Sequence, residues 1–525
     1  MKNTGALKTF ATSSRTTLIE QMTGRVKQLL DDPKAAAEYP RDVRALRDAV
    51  DEHGLAWVAD TAAYTWFNRL TAARYMDVNG FSGPYGVVSP AAGSASALPE
   101  ILTRAQAGEF ADEVPAQVQA SVVDLLTGKR TSTDPDAEAY SLLLSAMFAS
   151  WHRPMPEVFP AAVDWIRLLT PLDMLAPTSI RARAVEVMDA AACKNVEVVG
   201  WLYQFYNSDL KDEINDSNVS IDAAELPAVT QLFTPEYIVR YLVQNSLGRL
   251  WLRSRPTSGL REHMEYYIEP VAGQKDTGVT VSSPEEIKVL DPACGSGHML
   301  TYAFDLLFRI YEEEGHTPSS IPQLILTHNL RGLEIDERAA QLASFALAMK
   351  ARDKDRRFFT RRGADDQPVQ PDIVRVTPLD FDETEATMIT GAVAPGKRTG
   401  LARLVHSFKD ADTFGSLIRV DPDALESLTF AIQSYEEPDA EQGIASEIEF
   451  ILIGKVRALG RQARALMDGQ YHIVVTNPPY LGSGNMGAKL HEFGKVIYPT
   501  QGRTCVSCSW NVVLKLHALA QVWQW

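Results

Sequence analysis

Lys288-Val289-Leu290-Asp291-Pro292-Ala293-Cys294-Gly295-Ser296-Gly297-His298 is the stretch on which the reading of the fold turns. Residues 288–290 form a short apolar run with strand character, and residues 298–311 carry helical spacing, so the string between them is a strand-to-helix turn. Gly295 and Gly297 lack side chains, which lets the backbone turn tightly and come close to a bound group. No G-K-[ST] follows, so a nucleoside triphosphate would find no lysine for its phosphates. Working outward, residues 330–333, 373–376 and 471–475 repeat the pattern of a short apolar run that ends in a polar motif. Strands alternating with helices predict an α/β fold with a mostly parallel sheet, whose ligands bind beyond the carboxyl ends of the strands.

The strand ends carry the chemistry. Asp291, Pro292, Ala293, Gly295 and Gly297 form the first loop. Glu334-Ile335-Asp336 closes the second strand. A carboxylate at Glu334 is placed to accept hydrogen bonds from the ribose hydroxyls of an adenosine-containing cofactor, with Ile335 against the adenine ring. Asp336 precedes a helical run at 337–350 and reads as its cap. Asp380, after the third strand, is placed to accept from the adenine amino group; it reads equally well as a surface turn. Upstream, Thr234-Pro235-Glu236 reads as a helix start with Thr234 as N-cap and Pro235 at the first helical position. Such an end also favours an anion such as the cofactor carboxylate.

Asn477-Pro478-Pro479-Tyr480, after the fourth strand, is the sharpest signal. From average residue usage this tetrapeptide arises by chance in roughly one of several hundred chains of this length. An aromatic amino group such as adenine N6 is a poor nucleophile because its lone pair is delocalised into the ring. If the Asn477 side-chain oxygen and the Pro478 carbonyl each accept one N6 hydrogen, the lone pair is freed to face an electrophilic methyl. The prolines fix φ and hold those oxygens in advance. Tyr480 offers a face on which a base turned out of the duplex can stack.

Composition bounds the rest. With 45% hydrophobic and 22% charged residues over 525 positions, the chain has the balance of a globular protein of about three domains. No apolar run reaches membrane-spanning or signal-peptide length, so a cytoplasmic protein without membrane association is expected. Cys193, Cys294, Cys505 and Cys508 are too few and scattered for a disulfide framework, and the single C-x-x-C supplies two of four ligands for a structural zinc, so no metal is expected. A formal charge of -16 weighs against a simple nucleic-acid binder, although a cleft can be basic on an acidic protein. Arg352, Lys354, Arg356, Arg357, Arg361 and Arg362 form one candidate basic surface, and read as readily as a solvated helix end. Residues 1–225 carry helical spacing, for example Leu18, Met22, Val26, Leu29 and Leu30, and predict a helical N-terminal domain. Residues 226–500 hold the α/β domain, with a helical insertion at about 383–469 to which the sequence assigns no chemistry.

In this order, Thr234-Pro235, D-P-A-C-G-S-G, G-L-E-I-D and N-P-P-Y resemble the gamma arrangement of N6-adenine DNA methyltransferases. Residues 64–70 (YTWFNRL), 201–214 (WLYQFYNSDLKDEI), 231–252 (QLFTPEYIVRYLVQNSLGRLWL) and 410–418 (DADTFGSLI) are further similar to the PglX methyltransferases of bacteriophage-exclusion (BREX) defence systems. The resemblance covers most of residues 55–500. It implies a Rossmann-like class I domain, incomplete here, that binds S-adenosylmethionine through Thr234, the 291–297 loop, Glu334 and Asp380. It places Asn477 to Tyr480 at an adenine flipped from double-stranded DNA, and it implies other phage-defence proteins, or a restriction-modification system, as partners. Family members continue past Thr500. Residues 501–525 hold two of the four cysteines and three of the nine tryptophans, a break in composition for which a frameshift near codon 500 is the expected origin. Weak or absent methyl transfer by this chain is therefore expected. Two other readings stand beside this one. One is glutamine-amide methylation, which uses the same N-P-P-Y; the other is a non-catalytic fragment that binds cofactor or a partner.

Overall fold

The computed structural model describes residues 4–160, 165–171, 173–209, 234–271, 278–363, 366–436, 447–467, 470–478 and 488–497. The chain divides into two compact units, Met1–Asp212 with Ala348–Gln370, and Glu213–Leu347 with Pro371–Trp525.

The first unit is helical among its described residues. Helix Thr4–Asp31 buries Leu7, Phe10, Leu18, Met22, Val26 and Leu29 along the stripe that its spacing predicts. It packs against helices Leu55–Val78 and Glu197–Tyr206. Their aromatic contact centres on Phe67, with ring centroids 5.7 Å from Phe10 and 4.7 Å from Tyr206. The aromatic run 64–70 thus belongs to the core. Asp77, near the end of its helix, organises the Gly- and Pro-rich loop that follows by accepting from the Val87, Val88 and Ser89 amides and the Ser82 and Ser89 hydroxyls. Three of the six residues of the candidate basic surface pair with neighbouring acids. Arg361 pairs with Asp355, Arg362 with Asp366 and Lys354 with Asp353, while Arg352 lies over the Phe359 ring.

Among its described residues the second unit holds one sheet of four strands: β1 (Val289–Asp291), β2 (Leu330–Glu334), β3 (Asp372–Arg375) and β4 (Ile473–Val474). All are parallel, in the order β3-β2-β1-β4. The chain runs outward from β1 to β3, then returns to lay β4 on the other side of β1. The direction reverses between β1 and β4, and their carboxyl ends carry the glycine turn and the Asn477 loop. β4 is shorter than the run 471–475 predicts. Tyr471 instead uses its hydroxyl to donate to the Ala465 carbonyl at 3.0 Å and accept from Arg331 at 3.2 Å.

Each face of the sheet packs against helices. Leu290, Leu333 and Val374 point into a core shared with Leu401, Leu428, Leu452 and Leu459 of the segment between β3 and β4. Each such side chain, fully buried, contributes about 1.5–3 kcal/mol. The longer helices of that segment are Glu383–Gly391, Arg398–Ser407, Pro422–Glu436 and Glu447–Ala465. The first begins with a capping box between Asp382 and Glu385. On the opposite face Gly332 lies under helix His298–Glu313. A Cβ there would sit 2.7 Å from Ile373 Cδ1 and 2.9 Å from both Cys294 Sγ and Leu300 Cδ1. Gly332→Ala is therefore expected to cost about 1–3 kcal/mol from overpacking. Denaturant unfolding checks this, and a stability equal to wild type would show that the three neighbours have room to move.

Among the described residues no helix is long and apolar enough to cross a membrane, and no group of three or more His, Cys, Asp or Glu side chains converges as a metal site.

Candidate active site

The glycine turn is held from below and from the side. Gly295 and Gly297 have φ of 52° and 86°, the left-handed region that glycine enters without strain. Cys294 N donates to the Leu333 carbonyl at 3.0 Å, which ties the turn to β2. At Gly297 a Cβ would meet Ala343 at 3.1 Å, so the glycine lets helix Glu337–Lys354 approach the turn.

Glu334 is the centre of this arrangement. Its Oε2 accepts from the Gly295 amide at 2.7 Å, and its Oε1 accepts from the Ile335 and Asp336 amides at 2.9 and 3.0 Å. A carboxylate offers about four lone-pair sites. Accepting both ribose hydroxyls would thus displace one backbone donor, whereas a single hydroxyl fits alongside all three. Asp336 accepts from the Arg338 amide at 3.1 Å, in keeping with its reading as a cap. Asp291 is 2% exposed, accepts from the Ala293 amide at 3.2 Å, and lies beside Thr476 at the end of β4.

Burial pushes both carboxyls up. Glu334 rises to about 7, with the Asp336, Gly295 and Ile335 amides opposing and the Asp336 charge assisting. Asp291 also rises to about 7, opposed by the Thr476 hydroxyl and the Ala293 amide. His298, at the start of the helix, is lowered to about 4 by burial and stays neutral near pH 7. Its Nδ1 lies 3.2 Å from Ser296 Oγ.

Across the chain reversal, the Asn477 side-chain amide donates from Nδ2 to Thr234 Oγ1 at 3.0 Å. With Nδ2 engaged by Thr234, Oδ1 is the atom left to accept. Thr234 departs from its reading as an N-cap. Pro235 occupies the cap position of helix Glu236–Val243, and there is no side-chain cap bond. The Thr234 hydroxyl is used by Asn477 instead. Pro478 is described; Pro479 and Tyr480 lie outside the described residues, as do Cys505 and Cys508.

Asp380 is exposed, with 74% of its side chain accessible, and pairs with Lys409 at 3.4 Å. Ile335 is half-buried and faces the insertion, where a Cβ on Gly415 would lie 3.0 Å from its Cγ2. That neighbour was not assigned from the sequence. The one available signal was a glycine directly after an aromatic residue in D-T-F-G.

The family model described as Eco57I restriction-modification methylase matches residues 328–504. The chain is 37% identical over 493 residues to "Adenine-specific methyltransferase BrxX" of Escherichia coli O9:H4 (strain HS), covering 88% of this chain and 39% of that protein. It is 31% identical over 551 residues to "Adenine-specific methyltransferase PglX" of Lacticaseibacillus casei (strain Zhang), covering 94% of this chain and 44% of that protein. The chain thus spans about two-fifths of the length of these curated relatives. Among solved structures, "cryoEM structure DrdV-DNA complex" covers 98% of the chain and 34% of its own at TM-score 0.35 and 11% identity, a likeness that fixes neither fold nor function.

Proposed function

We propose, from the premise that the chain is related over most of its length to the adenine-specific methyltransferases BrxX and PglX, that its second unit is the cofactor-binding and methyl-acceptor part of an N6-adenine DNA methyltransferase. The observation that carries this reading is the Asn477 amide, which donates to Thr234 and follows β4, the strand paired with the β1 that leads into the glycine turn. The sheet is read as the Rossmann-like core of a class I methyltransferase. The residues suit S-adenosylmethionine. Two glycines leave the turn without side chains, and a buried carboxylate with a lone-pair site to spare stands at the end of the neighbouring strand. Bound there, the cofactor supplies an electrophilic sulfonium methyl.

The protein's own contribution is placement. Glu334 holds the ribose and keeps the Gly295 amide in position. Asn477 Oδ1 and the Pro478 carbonyl accept the two N6 hydrogens of a flipped adenine, which localises the lone pair on nitrogen. Neither is a strong base. Their effect lies in being fixed before the substrate arrives. Double-stranded DNA is the acceptor in this reading, and the resemblance to the BREX methyltransferases extends it to service in a phage-defence system of BREX or restriction-modification type. Tritiated methyl transfer to unmethylated DNA, with digestion to nucleosides, tests it. The weak transfer expected of this chain should yield N6-methyladenine, and label found on cytosine or on a protein glutamine would overturn the assignment.

The raised carboxyls give this reading a pH dependence. Between their ordinary values and about 7, the folded chain holds protons on Asp291 and Glu334 that the unfolded chain has released. Their contribution to stability is therefore present at low pH and lost as pH rises through 7. A cofactor that donates hydroxyl hydrogens to Glu334 favours its ionised form, so binding should tighten from pH 6 to pH 8 and release protons. Protonation of Glu334 weakens affinity by up to about tenfold per pH unit below its pKa. Titration calorimetry in two buffers of different ionisation enthalpy measures the released protons directly. Proton uptake in place of release would contradict the role given to Glu334.

A further inference from the structure

We infer that residues 408–415, within the insertion, form the wall at the adenine end of the cofactor pocket, and that Gly415 sets how closely Ile335 meets the adenine ring. This rests on the cofactor reading above and adds residues to which that reading gave no role.

Independent contacts converge on this segment. At its start, the Phe408 carbonyl accepts from the Leu379 amide at 2.9 Å, and Lys409 pairs with Asp380. The segment is thereby tied to the turn expected to meet the adenine amino group. At its end, Gly415 takes φ 50° and ψ −131°, a conformation that side-chain-bearing residues rarely adopt, and lies directly against Ile335. Ile335 is the residue after Glu334, so both strand ends assigned to the adenosine moiety touch one short piece of the insertion.

The same segment is also fastened to the helix that follows the Asn477 loop. Phe414 stacks on Phe493 with centroids 4.1 Å apart and planes 17° from parallel. Lys489 Nζ donates to Asp410 Oδ1 at 2.7 Å. Phe493 and Lys489 both lie on helix Ala488–Ile497. Stacking at this distance holds the Phe414 ring in one orientation, and with it the Gly415 peptide that follows. The insertion thus braces the adenine end of the pocket from a helix on the acceptor side.

Hydrogen exchange of the chain with and without S-adenosylmethionine tests the assignment without altering any residue. Saturating cofactor should slow exchange in peptides covering 408–417 as well as in those covering 332–336. Protection at 332–336 alone would overturn the wall while leaving the cofactor site standing; protection at neither removes both. As a second test, Gly415→Ala should raise the cofactor Kd at least tenfold by forcing Ile335 toward the ligand, and Ile335→Ala in that background should recover part of the loss. Additive losses would mean that the turn matters only for folding. Should Gly415→Ala not fold, Phe414→Leu and Phe493→Leu each loosen the brace, with an expected rise of about fivefold singly and no more in combination. Unchanged Kd in both would refute the inference.

Discussion

Glu334→Ala should weaken S-adenosylmethionine binding by at least a hundredfold, and Glu334→Gln by nearly as much. The alanine variant loses more than a ligand contact. It leaves the amides of Gly295, Ile335 and Asp336 facing a cavity, when each now donates to the carboxylate at 2.7 to 3.0 Å. An unsatisfied buried donor costs about 1–3 kcal/mol, and a hydrogen bond to a charged acceptor contributes about 1.5–3 kcal/mol. One lost ribose contact with one misplaced amide therefore reaches the about 2.8 kcal/mol that a hundredfold change requires. Glutamine keeps the shape but replaces one oxygen by an NH2. Whichever way the amide turns, a donor then faces a backbone donor, either at Gly295 or at the Ile335–Asp336 pair. Equilibrium dialysis with labelled cofactor gives the affinities, and thermal unfolding shows whether the variants fold. A glutamine variant that binds like wild type would exclude the carboxylate as the ribose acceptor.

What the sequence made legible follows from what each position demands of the backbone. Gly295 and Gly297 were readable because their positive φ admits few other residues, and Glu334 because it stands where the short strand 330–333 gives way to the cap of the next helix. The helices at 298 and 337 began where their turns required. Strand order is different. Nothing local says that β4 returns to the far side of β1, yet that placement is what brings Asn477 beside the glycine turn. Thr234 failed as a cap for a related reason. Its hydroxyl had two plausible partners, a nearby helix amide and a distant side-chain amide, and only the folded chain reveals that Asn477 takes it. The insertion was opaque because the position of Gly415 against Ile335 depends on several helices packing in between. A one-dimensional pattern of buried leucines reports that those helices pack, and says nothing about which loop they deliver to the pocket.

The Thr234–Asn477 bond also sets apart the two jobs of the acceptor loop, which leads to the second large effect. Asn477→Ala should lower the single-turnover rate of methyl transfer by about a hundredfold to a thousandfold, the range found when one preorganised polar contact to a reacting group is removed. Cofactor Kd should move by less than threefold, since the Asn477 side chain bonds to Thr234, whose hydroxyl is taken up by that contact and so is not counted on to hold the cofactor. Thr234→Val keeps the volume and removes the acceptor for Nδ2. The amide is then free to turn its NH2 toward the adenine, where a donor would meet the N6 hydrogens. A loss of about tenfold is expected, smaller than for Asn477→Ala because the correct orientation remains accessible. Enzyme in excess over an oligonucleotide duplex with the adenine opposite an abasic site keeps the flipping cost low, so the comparison reports on the transfer step. If Thr234→Val were the more damaging of the two, the threonine would act on the cofactor directly, and its hydroxyl rather than the asparagine would be the group that the reaction needs.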